Sequence, residues 1–210
     1  MKKILLAILL TLISCGIPYD GETIINIKLK VVNSENEPLV NEKAYIGTSY
    51  DDDSYDFSTY KKTSNEQGFI QFNMFNPNSN SSLILENSSE YLPVNIHGLN
   101  DDNFDGLNWD LGTLTLLKLD EITTFNVIPN QTSPNKIIYK IDVEAVKYEE
   151  NINLYNNDFL FNEPQFYHQL KKNQSFQLNY QIKNNITEEI ESFSIPLTIN
   201  NDELNYTLTF

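Results

Sequence analysis

Thr23-Ile24-Ile25-Asn26-Ile27-Lys28-Leu29-Lys30-Val31-Val32 is the stretch that decides the fold. Ile25, Ile27, Leu29 and Val31 alternate with Asn26, Lys28 and Lys30. A period of two puts the apolar side chains on one face and the polar ones on the other, as in a half-buried β-strand. The residues that follow, Asn33-Ser34-Glu35-Asn36-Glu37-Pro38, form a turn cluster. The same punctuation then recurs along the chain. Ala44 and Ile46 mark a second short strand, and Phe57 to Thr63 a third. Asn65-Glu66-Gln67-Gly68 reads as a hairpin turn before the strand Phe69 to Phe75. Leu83 to Glu86, Tyr91 to Ile96 and Leu111 to Leu119 complete a first set. Thr123 to Ile128, Lys136 to Tyr148, Ser175 to Lys183, Glu191 to Ile199 and Leu204 to Phe210 form a second. Pro164 to Leu170 reads as one helical turn or a loop. Short strands at this spacing, without a convincing long helix, predict an all-β chain of two β-sandwiches, over 23–119 and 120–210. One larger all-β domain is the alternative.

The first set resembles the carboxypeptidase-regulatory-like domain, a small transthyretin-like sandwich. The resemblance lies in the order of its motifs. These are Asn36-Glu37-Pro38-Leu39-Val40 after the first strand, Ala44-Tyr45-Ile46, and Thr63 through Gly68-Phe69 on a hairpin. Tyr91 and the closing Asp110-Leu111-Gly112-Thr113-Leu114-Thr115-Leu116 follow. It covers about residues 23–119 and implies a structural module without an active site of its own. The second set, Ig-like in its strand spacing, resembles no family by its motifs.

The N-terminus carries an address. Met1-Lys2-Lys3 is followed by Ile4 to Ile13, apolar except for Thr11. An apolar run this short does not span a bilayer, which takes about twenty residues. It fits the h-region of a secretory signal peptide, removed before the fold matters. The run ends in Leu12-Ile13-Ser14-Cys15-Gly16, which resembles the bacterial lipobox. The resemblance implies a signal peptide over 1–14, acylation of Cys15, and a short tether over 15–22. Several acyl chains on one residue anchor stably where one chain binds marginally. The expected partner is therefore a membrane, and the expected location the cell envelope. Gly16, in place of an Asp retention signal, points to the outer membrane where there is one.

Composition excludes other classes. The 210 residues include 29 acids against 14 lysines, no Arg and one Cys, for a net charge of −15. Loss of Lys2 and Lys3 on processing leaves 12 lysines and a net charge of −17. So acidic a chain lacks the basic footprint for nucleic acid. One Cys excludes an intrachain disulfide framework and a multi-Cys zinc site. The 29 asparagines with no Arg suit an AT-rich genome.

Few residues suggest chemistry. Asp101-Asp102-Asn103-Phe104-Asp105-Gly106 matches the first half of a calcium loop, with Asp101, Asn103 and Asp105 as alternate oxygen ligands. Its twelfth position is Gly112 where a bidentate Glu belongs, so a solvated acidic turn explains the same residues. Asp51, Asp52, Asp53 and Tyr55 lie in an acidic, aromatic-rich stretch that suits sugars or cations if it is not simply a solvated loop. His97 and His168 have no ligand-spaced partner, and no nucleophile or phosphate-loop motif is present. The expectation is a non-enzymatic envelope module without a resident cofactor, calcium apart, that binds an envelope protein by strand addition or a glycan. The alternatives are a calcium-stabilised carbohydrate-binding or adhesin module and, further off, an envelope hydrolase.

Overall fold

The computed structural model describes residues 19–49, 57–77, 81–86, 90–154 and 164–210. Among them the chain is all-β, with a single 3-10 turn at Leu119–Glu121. The strands are β1 (Tyr19–Val32), β2 (Lys43–Ser49), β3 (Phe57–Thr63), β4 (Phe69–Pro77), β5 (Ser81–Leu85), β6 (Val94–Leu99) and β7 (Asn108–Thr115). Then come β8 (Ile122–Asn130), β9 (Lys136–Glu144), β10 (Asn151–Asn153), β11 (Tyr167–Lys171), β12 (Gln174–Asn184), β13 (Ile190–Ile199) and β14 (Leu204–Thr209).

They form four sheets, ordered β4-β1-β7, β10-β6-β5-β2-β3, β11-β8-β14 and β13-β12-β9. The first two share one hydrophobic core. Ile25, Ile27, Leu29 and Val31 of β1 are all buried in it, as their alternation requires, beside Ile70, Phe72, Met74 and Trp109. The facing sheet contributes Ala44, Ile46, Leu83, Leu85, Val94 and Ile96. Each of the Val, Leu, Ile, Phe and Met side chains, fully removed from water, contributes about 1.5–3 kcal/mol. The other two sheets enclose a second core around Phe125, Leu170, Phe176, Leu178 and Leu208. These layers make the chain a β-sandwich protein.

Two segments differ from the periodicity reading. Pro164 to Leu170, expected as one helical turn or a loop, enters a strand at Tyr167: Tyr167–Lys171 pairs antiparallel with β8. Only Leu170 of its five residues is buried, so its sequence shows no alternation. The ladder, not an apolar face, holds it extended. The second is β10, which pairs in parallel with β6 and extends the sheet of the first core. Tyr148, Ile152 and Leu154 pack against that first core, although they follow residue 120 in the chain. The Tyr148 hydroxyl donates to the Pro93 carbonyl at 3.0 Å.

A third difference is Asn65-Glu66-Gln67-Gly68, expected as a hairpin turn: β3 and β4 are edge strands of different sheets and do not pair, so this turn carries the chain from one sheet to the other. Gly68 has φ +79°, and a Cβ there would lie 2.5 Å from the Val31 carbonyl oxygen and 3.1 Å from Pro38 Cβ. The Asn65 side-chain oxygen accepts N–H bonds from Gln67 and Phe69 at 3.0 and 2.9 Å. This local competition with the backbone is what Asn brings to turns.

Candidate functional site

The outer face of the five-stranded sheet is built by register. The inward residues of β2 and β5 (Ala44, Ile46 and Thr48; Ser81, Leu83 and Leu85) are buried. Their neighbours therefore point outward. One row across the sheet reads Thr59, Gly47, Ser82, His97, Asn153. The next reads Lys61, Tyr45, Ile84, Asn95, Asn151. Five strands at their usual spacing make this face about 19 Å wide.

The first row is polar and linked. The Ser82 hydroxyl lies 2.9 Å from His97 Nδ1, and His97 Nε2 lies 3.1 Å from Asn151 Oδ1. Asn95 donates to the same Asn151 oxygen at 3.3 Å. That oxygen can only accept, so Nε2 carries the ring proton and Nδ1 accepts from Ser82. The order Ser–His–Asn is that of a nucleophilic relay. However, Ser82 sits mid-strand between two partners, with its backbone committed to the ladders. What the relay offers a ligand is an array of neutral hydrogen-bonding groups. Beside it Gly47 leaves a notch: a Cβ built at this position meets nothing within 4 Å.

At the Lys43/Thr63 end of the β2–β3 pair lies a trough of about 480 Å³, lined by Lys43, Tyr45, Lys61, Lys62, Thr63 and Glu86. Its three lysines form no ion pair among the described residues, whereas Lys118, Lys136, Lys147, Lys171 and Lys183 do. Lys28 and Lys30 instead lie over the Phe69 ring, and Lys172 donates to the Asp120 carbonyl. Glu86 is the one carboxylate of the lining.

The residues singled out by sequence lie elsewhere. Cys15, Asp51, Asp52, Asp53 and Tyr55 fall outside the described residues. Asp101, Asn103 and Asp105 stand in the connection between β6 and β7. Asn103 donates its amide to the Gly98 carbonyl at 2.6 Å, and Asp101 accepts from Asn76 at 2.8 Å. Phe104 stacks on buried Trp109 at 5.2 Å, and the indole N–H donates to the Gly106 carbonyl at 3.1 Å. These contacts give the loop a structural role in closing one end of the core. Among the described residues, no three His, Cys, Asp or Glu side chains group as a metal site would need.

His168 belongs to the second core. Its ring stacks over Phe125 at 6.0 Å, and Nε2–H donates to the Gln165 carbonyl at 3.1 Å. Burial pushes its pKa below the ordinary value. His97, Ser82 and Asn151 were not recognisable from sequence as a group, because they stand far apart in the chain. Only the pairing of β10 with β6 brings the third member in. Lys43, Tyr45 and Lys61 gave one weak signal, their shared parity on adjacent strands.

No family model matches the chain, and no curated protein matches it. Among solved structures, the TIE protein of Bacillus anthracis aligns over 90% of this chain and 34% of its own, with a TM-score of 0.35 and 9% identity. A streptococcal ancillary pilin aligns over 89% of this chain and 62% of its own, with a TM-score of 0.33 and 13% identity. A DUF3823 family protein from Parabacteroides merdae covers 83% of this chain and 79% of its own, at a TM-score of 0.28 and 7% identity. The chain thus spans about a third of the first and three fifths of the second.

Proposed function

We propose that this is a lipid-anchored cell-envelope protein, held on a membrane by acylated Cys15, whose β-sandwiches act by binding and not by catalysis. The observation that carries the reading is Leu12-Ile13-Ser14-Cys15-Gly16, in which a ten-residue apolar run ends and which contains the sole Cys. Thioether-linked diacylglycerol and an acylated amino terminus at one residue give the multiple-chain anchoring that peripheral retention needs. The outer membrane is the location in a cell that has one, since Gly16 stands where an inner-membrane retention signal would carry Asp.

The rest of the chain supports a binding role. Paired strands present a broad outer face, on which Ser82, His97 and Asn151 form a linked row of hydrogen-bonding groups. The first sandwich also keeps the motif order of a carboxypeptidase-regulatory-like module, which implies no active site. The test is Cys15→Ser in the native host. The wild-type chain should enter the detergent phase and take up labelled palmitate; the variant should do neither. A variant that partitions and labels like the wild type would contradict the reading.

A further inference from the structure

We infer that the outer face over β2 and β3 is a binding site for an acidic saccharide, a chain of sugars bearing carboxylates. This deepens the proposed binding role of the sandwiches and is independent of the acyl anchor. Charge is the first argument. The acids outnumber the lysines by 29 to 14, yet Lys43, Lys61 and Lys62 line one trough without an ion pair among the described residues, opposed in its lining by Glu86 alone. Lys43 and Lys61 share the outward parity of Tyr45, while Lys62, in register with inward Ala44, stands at the edge of the trough; two outward ammonium groups, each a strongly hydrated point charge, complement separate carboxylates along a ligand.

The chemistry beside the charge selects a sugar over an acidic peptide. Tyr45 stands between the trough and the notch over Gly47, where an aromatic face can pack against the C–H face of a pyranose. Beyond the notch the surface continues as Thr59, Ser82 and His97, neutral donors and acceptors suited to ring hydroxyls. A trough of about 480 Å³ has room for one to two sugar rings. The remainder of a longer chain would follow β2 across the notch.

The test is isothermal titration of the full-length protein in detergent micelles with hexagalacturonic acid. Binding is expected, with a dissociation constant that rises about ten-fold or more in the Lys43→Gln/Lys61→Gln variant and weakens as salt is raised. Tyr45→Ala should weaken it several-fold. Unchanged thermal unfolding would show that the variants fold, since all three positions lie on the surface. Maltohexaose, the same length but neutral, should bind at least ten-fold more weakly. Three results would overturn the inference: no heat at millimolar hexagalacturonate, equal affinity for maltohexaose, or a hexaglutamate peptide that binds as tightly and ignores Tyr45→Ala. Failure of palmitate labelling would remove the anchor and leave this measurement standing.

Discussion

Gly68 shows how much one residue can decide. Its positive φ and the Val31 carbonyl 2.5 Å from any Cβ leave room for hydrogen alone. Its own carbonyl accepts the Val31 N–H at 2.8 Å, which ties the turn between the two sheets to the end of β1. Gly68→Ala should cost about 2–4 kcal/mol, left-handed strain plus displacement of backbone, read as a lower denaturant midpoint at unchanged slope. A loss under about 0.5 kcal/mol would show that the turn yields. His168 makes a second case. Burial lowers its pKa, so the folded state prefers the neutral ring while the unfolded chain takes up a proton near pH 6.5. Stability from this residue is therefore present above about pH 7 and is lost as pH falls through 6.5 toward the folded value. Lys147 opposes protonation of the ring and Glu149 and Asp142 favour it, all less strongly than burial does. Thermal melts between about pH 7.5 and 5.5 should show a steeper decline for the wild type than for His168→Phe. Parallel declines would assign the effect to other groups.

Among the elements, legibility followed burial. Ile25 to Val31 of β1 and Phe176 to Ile182 of β12 alternate in sequence, and Ile25, Ile27, Leu29, Val31, Phe176, Leu178 and Ile182 are buried. β10 and β11 do not alternate. Asn151-Ile152-Asn153 and Tyr167-His168-Gln169-Leu170-Lys171 each place one or two side chains toward a core and owe their conformation to neighbouring strands. A three-residue strand has no period to detect, and its partner β6 lies more than fifty residues earlier. The relay through His97 was hidden for the same reason: it exists only once β10 is in place. The calcium reading of Asp101–Asp105 rested on spacing, and the structure gives that loop an alternative task through Phe104, Trp109 and Asn103. Ile152→Pro tests the weight of β10. The Asn95 N–H donates to the Glu150 carbonyl at 2.7 Å, and the Leu154 N–H to the His97 carbonyl at 3.0 Å. Both amides should exchange with solvent at least ten-fold faster in the variant, while Ile27 and Leu29 of β1 keep their protection. Unchanged exchange at Asn95 would mean that β10 does not hold this edge.

Over the whole molecule, contacts between the halves extend beyond β10. Lys171 donates to the Ser34 carbonyl at 2.8 Å and pairs with Glu35 at 3.2 Å. Ser34 donates to Glu121 at 2.5 Å, and the other oxygen of Glu121 accepts the Lys118 N–H at 2.8 Å. The join at 118–121 is thus hydrogen-bonded to the turn that follows β1. Charge is divided unevenly over this assembly. The carboxylates are spread along the chain, while Lys43, Lys61 and Lys62, which form no ion pair among the described residues, line one trough. A strongly acidic exterior keeps an anchored protein soluble and discourages self-association, and the lysine-lined trough gives an anionic chain one place to bind. The account as a whole rests on Cys15. The direct measurement is mass spectrometry of the mature N-terminal peptide from native membranes. It should begin at Cys15 and carry a thioether-linked diacylglycerol; an unmodified Cys15, or a chain that still begins at Met1, would contradict the account.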